Sequence, residues 1–353
     1  MFDIPSMDEC NYIIKNSKQF FRKDLEFLNN KISIYHYKQG NYEEFEKFKA
    51  YELRSLTFVE NTRFLGIHKF FELNQAPGFM YDDVKNKKII KITEKIDGTF
   101  IQPVLIEGEI YFKTKLNFDS YQAKRCNEIL KENKKLKEFI IKTFKKGKIP
   151  FFEYFSPKTQ VVMDYKEELL YLTQIRDLKT GKYELNFEKE AENYGIKTPK
   201  IFNYSFEKLL NLAKTKEDVE GWVVIFEDMQ FLKLKTQSYL KKHKLLGKIE
   251  PHNIIYAILN NKANEYKNIL NKESEKYQYF TEIENKFLKK YNSLKKDLKK
   301  ALKLTKKEFK KELANHPYYE LLATCKKKGE DFFDEWIKQH TARLKGAKKF
   351  LDL

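Results

Sequence analysis

In the stretch KITEKIDGTFIQPV (Lys91–Val104), a lysine stands two residues before an Asp-Gly pair, between two β-rich runs. Lys95 there could simply end a strand, or it could be an amine that attacks an electrophile. An amine nucleophile must shed its proton near neutral pH, which takes desolvation or cationic neighbours. If the electrophile were a triphosphate, the same cleft would need Lys/Arg clamps and carboxylates for a divalent ion. The chain supplies such residues in order. Arg54 stands in ELRSLTF and Lys69 in HKFFELNQ; Lys95 is followed by Asp97 and Gly98. Lys113 and Lys115 alternate in YFKTKL, as do Lys233 and Lys235 in FLKLK, so each pair is expected to share a strand face. Glu153 is a carboxylate inside the apolar run of FFEYFSP, and Glu220 precedes GWVVIFE. A carboxylate buried in such a run needs a partner. Lys113 reads as a supporting charge as readily as a ligand, and His68 and His243 read as structural or surface residues.

Elements must carry these groups. Up to about residue 245, short alternating runs rich in Val, Ile, Phe and Tyr dominate: RSLTFVE, KKIIKITEKI, TFIQPVLIEG, EIYFKTKL, PFFEYF, TQVVMDY, ELLYLTQIRD, GWVVIFE and FLKLK. IEGEIYF reads as a hairpin turn, DDVKNKK as a loop, and helical spacing appears at 120–146 and 187–194. Beyond residue 245 the alternation stops. HNIIYAILNNKANEYKNIL, the long Lys-rich run from Thr281 to His316 and GEDFFDEWIKQHTARLKGAKKFL place apolar residues three and four apart. The break NHPYYELL separates two helices. The fold class expected is α+β: a body of mostly antiparallel sheets with helices over residues 1–245, then an all-helical domain over 246–353.

Composition narrows the class. The net charge is +18, and residues 251–353 hold 24 Lys/Arg against 14 Asp/Glu, so +10 of it lies in the tail. A polyanion is the natural partner, since each neutralised phosphate releases counterions. With 30 Phe and 22 Tyr the chain can build a substantial core. No run of 18 apolar residues occurs and MFDIPSMDEC lacks the form of a signal peptide, so a soluble, intracellular, cytoplasmic protein with no membrane partner is expected. Three scattered cysteines and six dispersed histidines make neither a disulfide framework nor a zinc site.

The ordered set KIDG, FFEYFSP, LYLTQIRD, VEGWVVIF and FLKLKT resembles motifs I, III, IIIa, IV and V of the covalent nucleotidyltransferase superfamily of ligases and capping enzymes. With ELRSLTF, KFFELNQ, EYFSPKTQVV and LKLKTQSYLKKH it is most similar to ATP-dependent RNA ligases of the phage tRNA-repair RNA ligase 1 type, over roughly residues 50–243. The resemblance implies a nucleotidyltransferase fold in the body. It implies that Lys95 attacks the α-phosphorus of ATP and carries AMP as a phosphoramidate, which passes to an RNA 5′-phosphate before a 3′-hydroxyl displaces it. By the same resemblance Gly98 allows the turn after the nucleophile, and Asp97, Glu153 and Glu220 contact the ribose and order a hydrated Mg²⁺, or Mn²⁺ in its place. Lys233 and Lys235 hold the α-phosphate and favour the neutral amine of Lys95, and Arg54, Lys69 and Lys115 orient the outer phosphates. Val223 packs against adenine, Thr173 is the candidate partner in motif IIIa, and Tyr239 matches a tyrosine beside motif V.

The basic helical domain is then expected to grip RNA, a nicked tRNA by the family's precedent, with end healing by a separate kinase/phosphatase and the ligase itself a monomer. A capping guanylyltransferase or DNA ligase would bring a C-terminal OB barrel, for which the tail has no hairpin pattern. An inactive RNA-binding relative would not need the whole chemical set. The lean toward Lys, Asn, Ile, Phe and Tyr fits an AT-rich genome, a phage or other virus among the sources.

Overall fold

A computed structural model describes residues 2–353, which divide into two compact units, Met1–Lys241 and Lys242–Leu353, at a point within the helix Gln237–Leu246. The first unit holds three sheets. An antiparallel sheet of four strands runs in chain order through Phe20–Phe27, Asn30–Tyr37, Leu56–Val59 and Thr62–Phe64. A five-stranded sheet orders Tyr183–Glu184, Leu169–Asp177, Lys148–Phe155, Thr99–Ile106 and Glu109–Lys113. A second four-stranded sheet orders Phe71–Glu72, Phe231–Lys235, Gly221–Phe226 and Ile89–Lys95, antiparallel except where Phe231–Lys235 meets Phe71–Glu72.

Period-two alternation decides what each sheet shows to each side. On Lys148–Phe155, Phe152 and Tyr154 pack outward with Phe139 and Ile140 of the helix Lys134–Lys145. Ile149 and Phe151 face inward, and so does Glu153 between the outward pair. On the second four-stranded sheet, Ile92, Trp222, Val224, Leu232 and Leu234 pack on Phe206 and Leu209 of the helix Phe206–Thr215. The other faces of the three sheets share one core, in which Ile34, Val59, Phe100, Phe151, Ile225 and Phe231 are buried. Lys95 ends its strand, and Ile96–Gly98 carries the chain across to Thr99 in the neighbouring sheet. The KIDG string is therefore a corner between two sheets.

The α+β organisation is as expected, with an all-helical second unit whose longest helix is Glu275–Lys303. The hairpin at Glu107–Gly108 is present, with both residues at positive φ (53° and 83°), as a type I′ turn requires. Several elements differ. DDVKNKK begins in a short helix, Tyr81–Val84, whose first turn is closed by Asp83 accepting from the Met80 N–H at 3.1 Å. The Lys-rich run breaks at Thr305, which caps a new helix, Lys306–Leu313, in a reciprocal box with Glu308. TQVVMDY forms no strand, because its backbone donors are used elsewhere, as described below. The helix Met7–Asn16 and the hairpin Phe20–Tyr37 carry no expectation from sequence. Among the described residues no helix is long and apolar enough to cross a membrane.

One buried ion pair fastens the strand Leu169–Asp177 to the segment around Arg54. The Arg176 guanidinium donates twice to Glu52 at 2.8 Å and also to the carbonyls of Gly66 and Gly181, with Arg176 fully buried and Glu52 3% exposed. Breaking such a pair leaves an uncompensated charge, whereas replacing both partners with apolar groups is nearly neutral. Glu52→Ala is expected to cost about 3–5 kcal/mol in urea unfolding. The double change Glu52→Leu/Arg176→Met should recover most of it; equal losses would show that the charges are not coupled.

Candidate active site

Strand register lays out the floor of a cavity of about 530 Å³. Gly221 lies opposite Lys95 on one side and Lys235 on the other, and one step along Val223 lies between Thr93 and Lys233. Thr93, Lys95, Val223, Lys233 and Lys235 line the cavity. Two lysines thus flank a position with no side chain, and two residues on, a valine supplies an apolar patch beside a third lysine. The glycine is obligatory there. Its φ is 151°, and a Cβ would lie 2.0 Å from the Leu234 carbonyl oxygen.

Lys95 Nζ donates to Glu220 Oε2 at 2.8 Å, with the Glu220 side chain 3% exposed. Burial acts to strip the lysine of its proton, but Glu220, Glu153 and Asp97 outweigh it and hold Lys95 above the ordinary lysine value. The site as it stands therefore carries an ammonium paired to a carboxylate. Repulsion between Lys233 and Lys95 acts toward a neutral amine, as expected, but these carboxylates outweigh it here. Burial pushes Glu220 up as well, against the pull of Lys95. Glu153 also lines the cavity, with no hydrogen bond or ion pair among the described residues, and burial raises it to about 7 against the pull of Lys95 and Lys115.

Asp97 does something other than expected. Its Oδ2 accepts from the backbone N–H of Val162 at 2.8 Å and of Met163 at 2.7 Å, and its Oδ1 accepts from the Tyr239 hydroxyl at 2.8 Å. The Asp97 N–H in turn donates to the Tyr165 hydroxyl at 3.1 Å. These bonds take the donors that a strand through TQVVMDY would have needed. They also leave Asp97 committed, and among the described residues no three His, Cys, Asp or Glu side chains are placed to hold a metal ion. The Asp97–Glu153–Glu220 set is thus not a direct three-carboxylate cage. Glu153 and Glu220, beside open space, fit a hydrated divalent cation held through its waters.

Gly98 is required for a reason other than turn conformation. A Cβ there would lie 2.4 Å from the Tyr154 carbonyl oxygen and 3.1 Å from Glu153 Cγ, so the corner must pass directly over the strand that bears Glu153. Lys113 and Lys115 do not share a face, because the strand ends at Lys113 and the chain turns, with the Thr114 N–H donating to the Asn117 carbonyl at 2.9 Å. Lys113 is fully buried, donates to Ser55 Oγ at 2.8 Å and is held far below its usual value by desolvation. Lys115 lines the cavity and is drawn down to about 8 by enclosure and by Arg54.

Arg54 lines the cavity against the rings of Phe70 and Phe100. Lys233 donates to the Phe70 carbonyl at 3.1 Å, and burial with Arg54, Lys69 and Lys95 nearby pushes it far down. Thr173 lines the rim, at an irregularity in its strand, and donates to the Phe151 carbonyl at 3.2 Å. Lys69 does not line this cavity, although its charge is felt by Lys233. It is buried against the Phe71 ring at 4.1 Å and lines a separate cavity of about 490 Å³ with Glu52 and Phe231.

Sequence reasoning missed Glu72, which pairs with Lys235 at 2.7 Å, although it stands three residues after Lys69 in the same string. It also missed His36, a cavity residue whose buried Nδ1 has no partner and which burial and the nearby cations push down to about 3. Only the three-dimensional meeting of Arg54, Lys113 and Lys115 around it marks it out.

Because Glu153 binds its proton more tightly folded (about 7) than unfolded (4.5), this group stabilises the fold most below pH 4.5 and less as the pH rises to about 7. Glu153→Gln removes that loss. Its melting temperature relative to the parent should climb between about pH 4.5 and 7 and level off above; a pH-independent difference would mean an ordinary carboxylate.

Residues 52–245 match the model of a family described as RNA ligase. A curated protein of Thermovibrio ammonificans named "Putative RNA ligase" is 33% identical over 264 residues, 69% of this chain and 68% of that one. Among solved structures, an archaeal ATP-dependent RNA ligase superposes with a TM-score of 0.51 at 13% identity, covering 78% of this chain and 75% of that chain, which establishes the nucleotidyltransferase fold. A Naegleria gruberi RNA ligase mutant in the apo state aligns at 17% identity and a TM-score of 0.38, over 51% of this chain; the chain spans 57% of that ligase's length.

Proposed function

The chain belongs to the RNA ligase family, and we propose that it is ATP-dependent, joining a 3′-hydroxyl to a 5′-phosphate RNA end through AMP carried on Lys95. The observation that carries this reading is the floor row Lys95–Gly221–Lys235 with Glu220 bonded to the amine. It supports reading Lys95 as the nucleophile, Glu220 as the acceptor for its proton and Lys235 as the cation for the developing phosphate charge.

In this mechanism Glu220 receives the Lys95 proton. The amine nitrogen bonds to the α-phosphorus of ATP as the bond to the bridging β-oxygen breaks, and pyrophosphate leaves. Lys235 faces the α-phosphate across the gap at Gly221, Lys233 reaches it from beside Val223, and Arg54 and Lys115 hold the departing phosphates. Val223 lies under the adenine, with Thr173 at the rim. The adenylate then passes to an RNA 5′-phosphate as a 5′–5′ pyrophosphate link, and a 3′-hydroxyl closes the phosphodiester and releases AMP. Mg²⁺ or Mn²⁺ held through water by Glu153 and Glu220 would screen the carboxylates that keep Lys95 protonated. Asp97 and Tyr239 act by fixing the corner rather than by touching the reacting atoms. Lys69, held among aromatic rings behind this row, adds positive charge felt by Lys233 and Lys235 and is the remaining candidate for orienting the outer phosphates.

The helical unit is the RNA-gripping part of this reading, and a cleaved tRNA whose ends a separate enzyme has healed is the substrate class that the family likeness favours. Incubation with Mg²⁺ and α-labelled ATP should label the parent protein on Lys95 and leave Lys95→Ala unlabelled. Label from GTP instead would indicate capping chemistry, and persistent label in the variant would overturn the assignment. Lys233→Met should slow labelling by about 100-fold or more, the scale for losing one charge-stabilising group, with unchanged binding of RNA.

A further inference from the structure

The helical unit contains a second cavity, of about 350 Å³, lined from the helix Pro251–Leu259 by His252, Asn253, Tyr256 and Leu259 and from the helix Asp331–Thr341 by Lys338 and Thr341. We propose that this cavity binds one unpaired nucleobase of the RNA, a subsite that rests on the RNA ligase reading. Three observations point to a flat, polar-edged, anionic ligand.

Tyr256 is 62% exposed, although it is a large aromatic residue on a helix whose neighbours Ile254, Ile255 and Ala257 are buried. Its ring stands one turn from His252, so the two lie on the same side of the helix. Exposed aromatic rings at a cavity mouth are stacking platforms for bases.

The polar groups inside are open. His252 Nδ1 is buried with no partner, and the Asn253 amide makes no side-chain hydrogen bond among the described residues. A buried polar atom left unpaired is costly, and the edge of a base offers both donors and acceptors to satisfy it. Thr341 adds no competing donor, since its hydroxyl already donates to the Ile337 carbonyl at 2.7 Å.

The charge beside the cavity is unneutralised. From Trp336 to Lys349 the chain carries five basic residues (Lys338, Arg343, Lys345, Lys348 and Lys349) and no acidic one. Lys345, Lys348 and Lys349 sit on the helix Leu344–Leu351, which packs against Pro251–Leu259. None of the five is in an ion pair among the described residues. Elsewhere in the unit Lys267, Lys286, Lys290 and Lys300 each have a carboxylate partner. A base-sized cavity with an aromatic lip and free cations alongside suits a nucleotide whose phosphates run along the helix. An acidic peptide would use the cations but not the ring or the interior polar atoms.

The test uses the full-length protein and a short fluorescein-labelled unpaired RNA with a 5′-hydroxyl end, which cannot be sealed. Tyr256→Ala should weaken binding by about tenfold, and Tyr256→Phe should leave it within about twofold, as stacking requires. A blunt RNA duplex should bind the parent and Tyr256→Ala alike, and both variants should still take label from ATP on Lys95 as the parent does. Undiminished binding of unpaired RNA by Tyr256→Ala, or equal weakening toward the duplex, would overturn the proposal. Displacement of the RNA by an equal concentration of free AMP would also overturn it, by making the cavity a mononucleotide site. Failure of the parent to take label would count against the ligase reading and leave the binding comparison intact.

Discussion

The carboxylate of Asp97 is the point on which the site hangs. Three donors from two separate parts of the chain converge on it: the Val162 and Met163 amides and the Tyr239 hydroxyl. Bonds to an ionised acceptor are roughly twice as strong as neutral ones, and these are shielded, with Asp97 only 4% exposed. They tie the corner between two sheets to the segment 156–168 and to the helix Gln237–Leu246. With the corner tied, Gly98 lies against the Tyr154 carbonyl and Lys95 ends its strand opposite Gly221. Asp97 lines the cavity too, but its oxygens are taken up by these donors, whereas Glu153 has no hydrogen bond or ion pair among the described residues.

Charges of both signs are crowded around that corner. Arg54, Lys95, Lys115, Lys233 and Lys235 line one cavity together with Glu94, Asp97, Glu153 and Glu220, and Glu72 pairs with Lys235. Enclosure raises the cost of holding like charges together, as the lowered values of Lys115 and Lys233 record. An anion entering such a place relieves repulsion already present in the folded protein, so part of the stabilisation of a polyphosphate is built in before it arrives. The sheets can hold that tension because Phe100, Phe151, Ile225 and Phe231 form a single core across their inner faces.

Much of this was legible in sequence, for a physical reason. Alternation fixes which residues of a strand share a face, so Glu153 within FFEYF and Lys233 with Lys235 could be placed without coordinates, whereas Val223 came from the family likeness. Strand ends were less legible, because alternation stops there: Lys113 and Lys115 diverge at a turn whose hydrogen bonds are set by Asn117. Apolar content also misled where side chains compete for the backbone, as at TQVVMDY, whose donors serve Asp97. Lys69 and Glu72 show the remaining limit. They stand in one string, yet a parallel pairing with Phe231–Lys235 delivers Glu72 to Lys235, while Lys69 turns into a pocket of aromatic rings. The break of the long Lys-rich helix at Thr305 was readable in principle, since Thr-x-x-Glu spells the cap.

The ion pair between Lys95 and Glu220 has a consequence for chemical labelling. Amine-selective acylating reagents react with the free base, and a lysine kept protonated by adjacent carboxylates is a poor target even where 22% of its side chain is open to solvent. Neutralising those carboxylates, by mutation or by a bound cation, removes what opposes the desolvation of the amine, so acylation should speed up. Its acylation rate is thus a reporter of the charge state of the carboxylates around it.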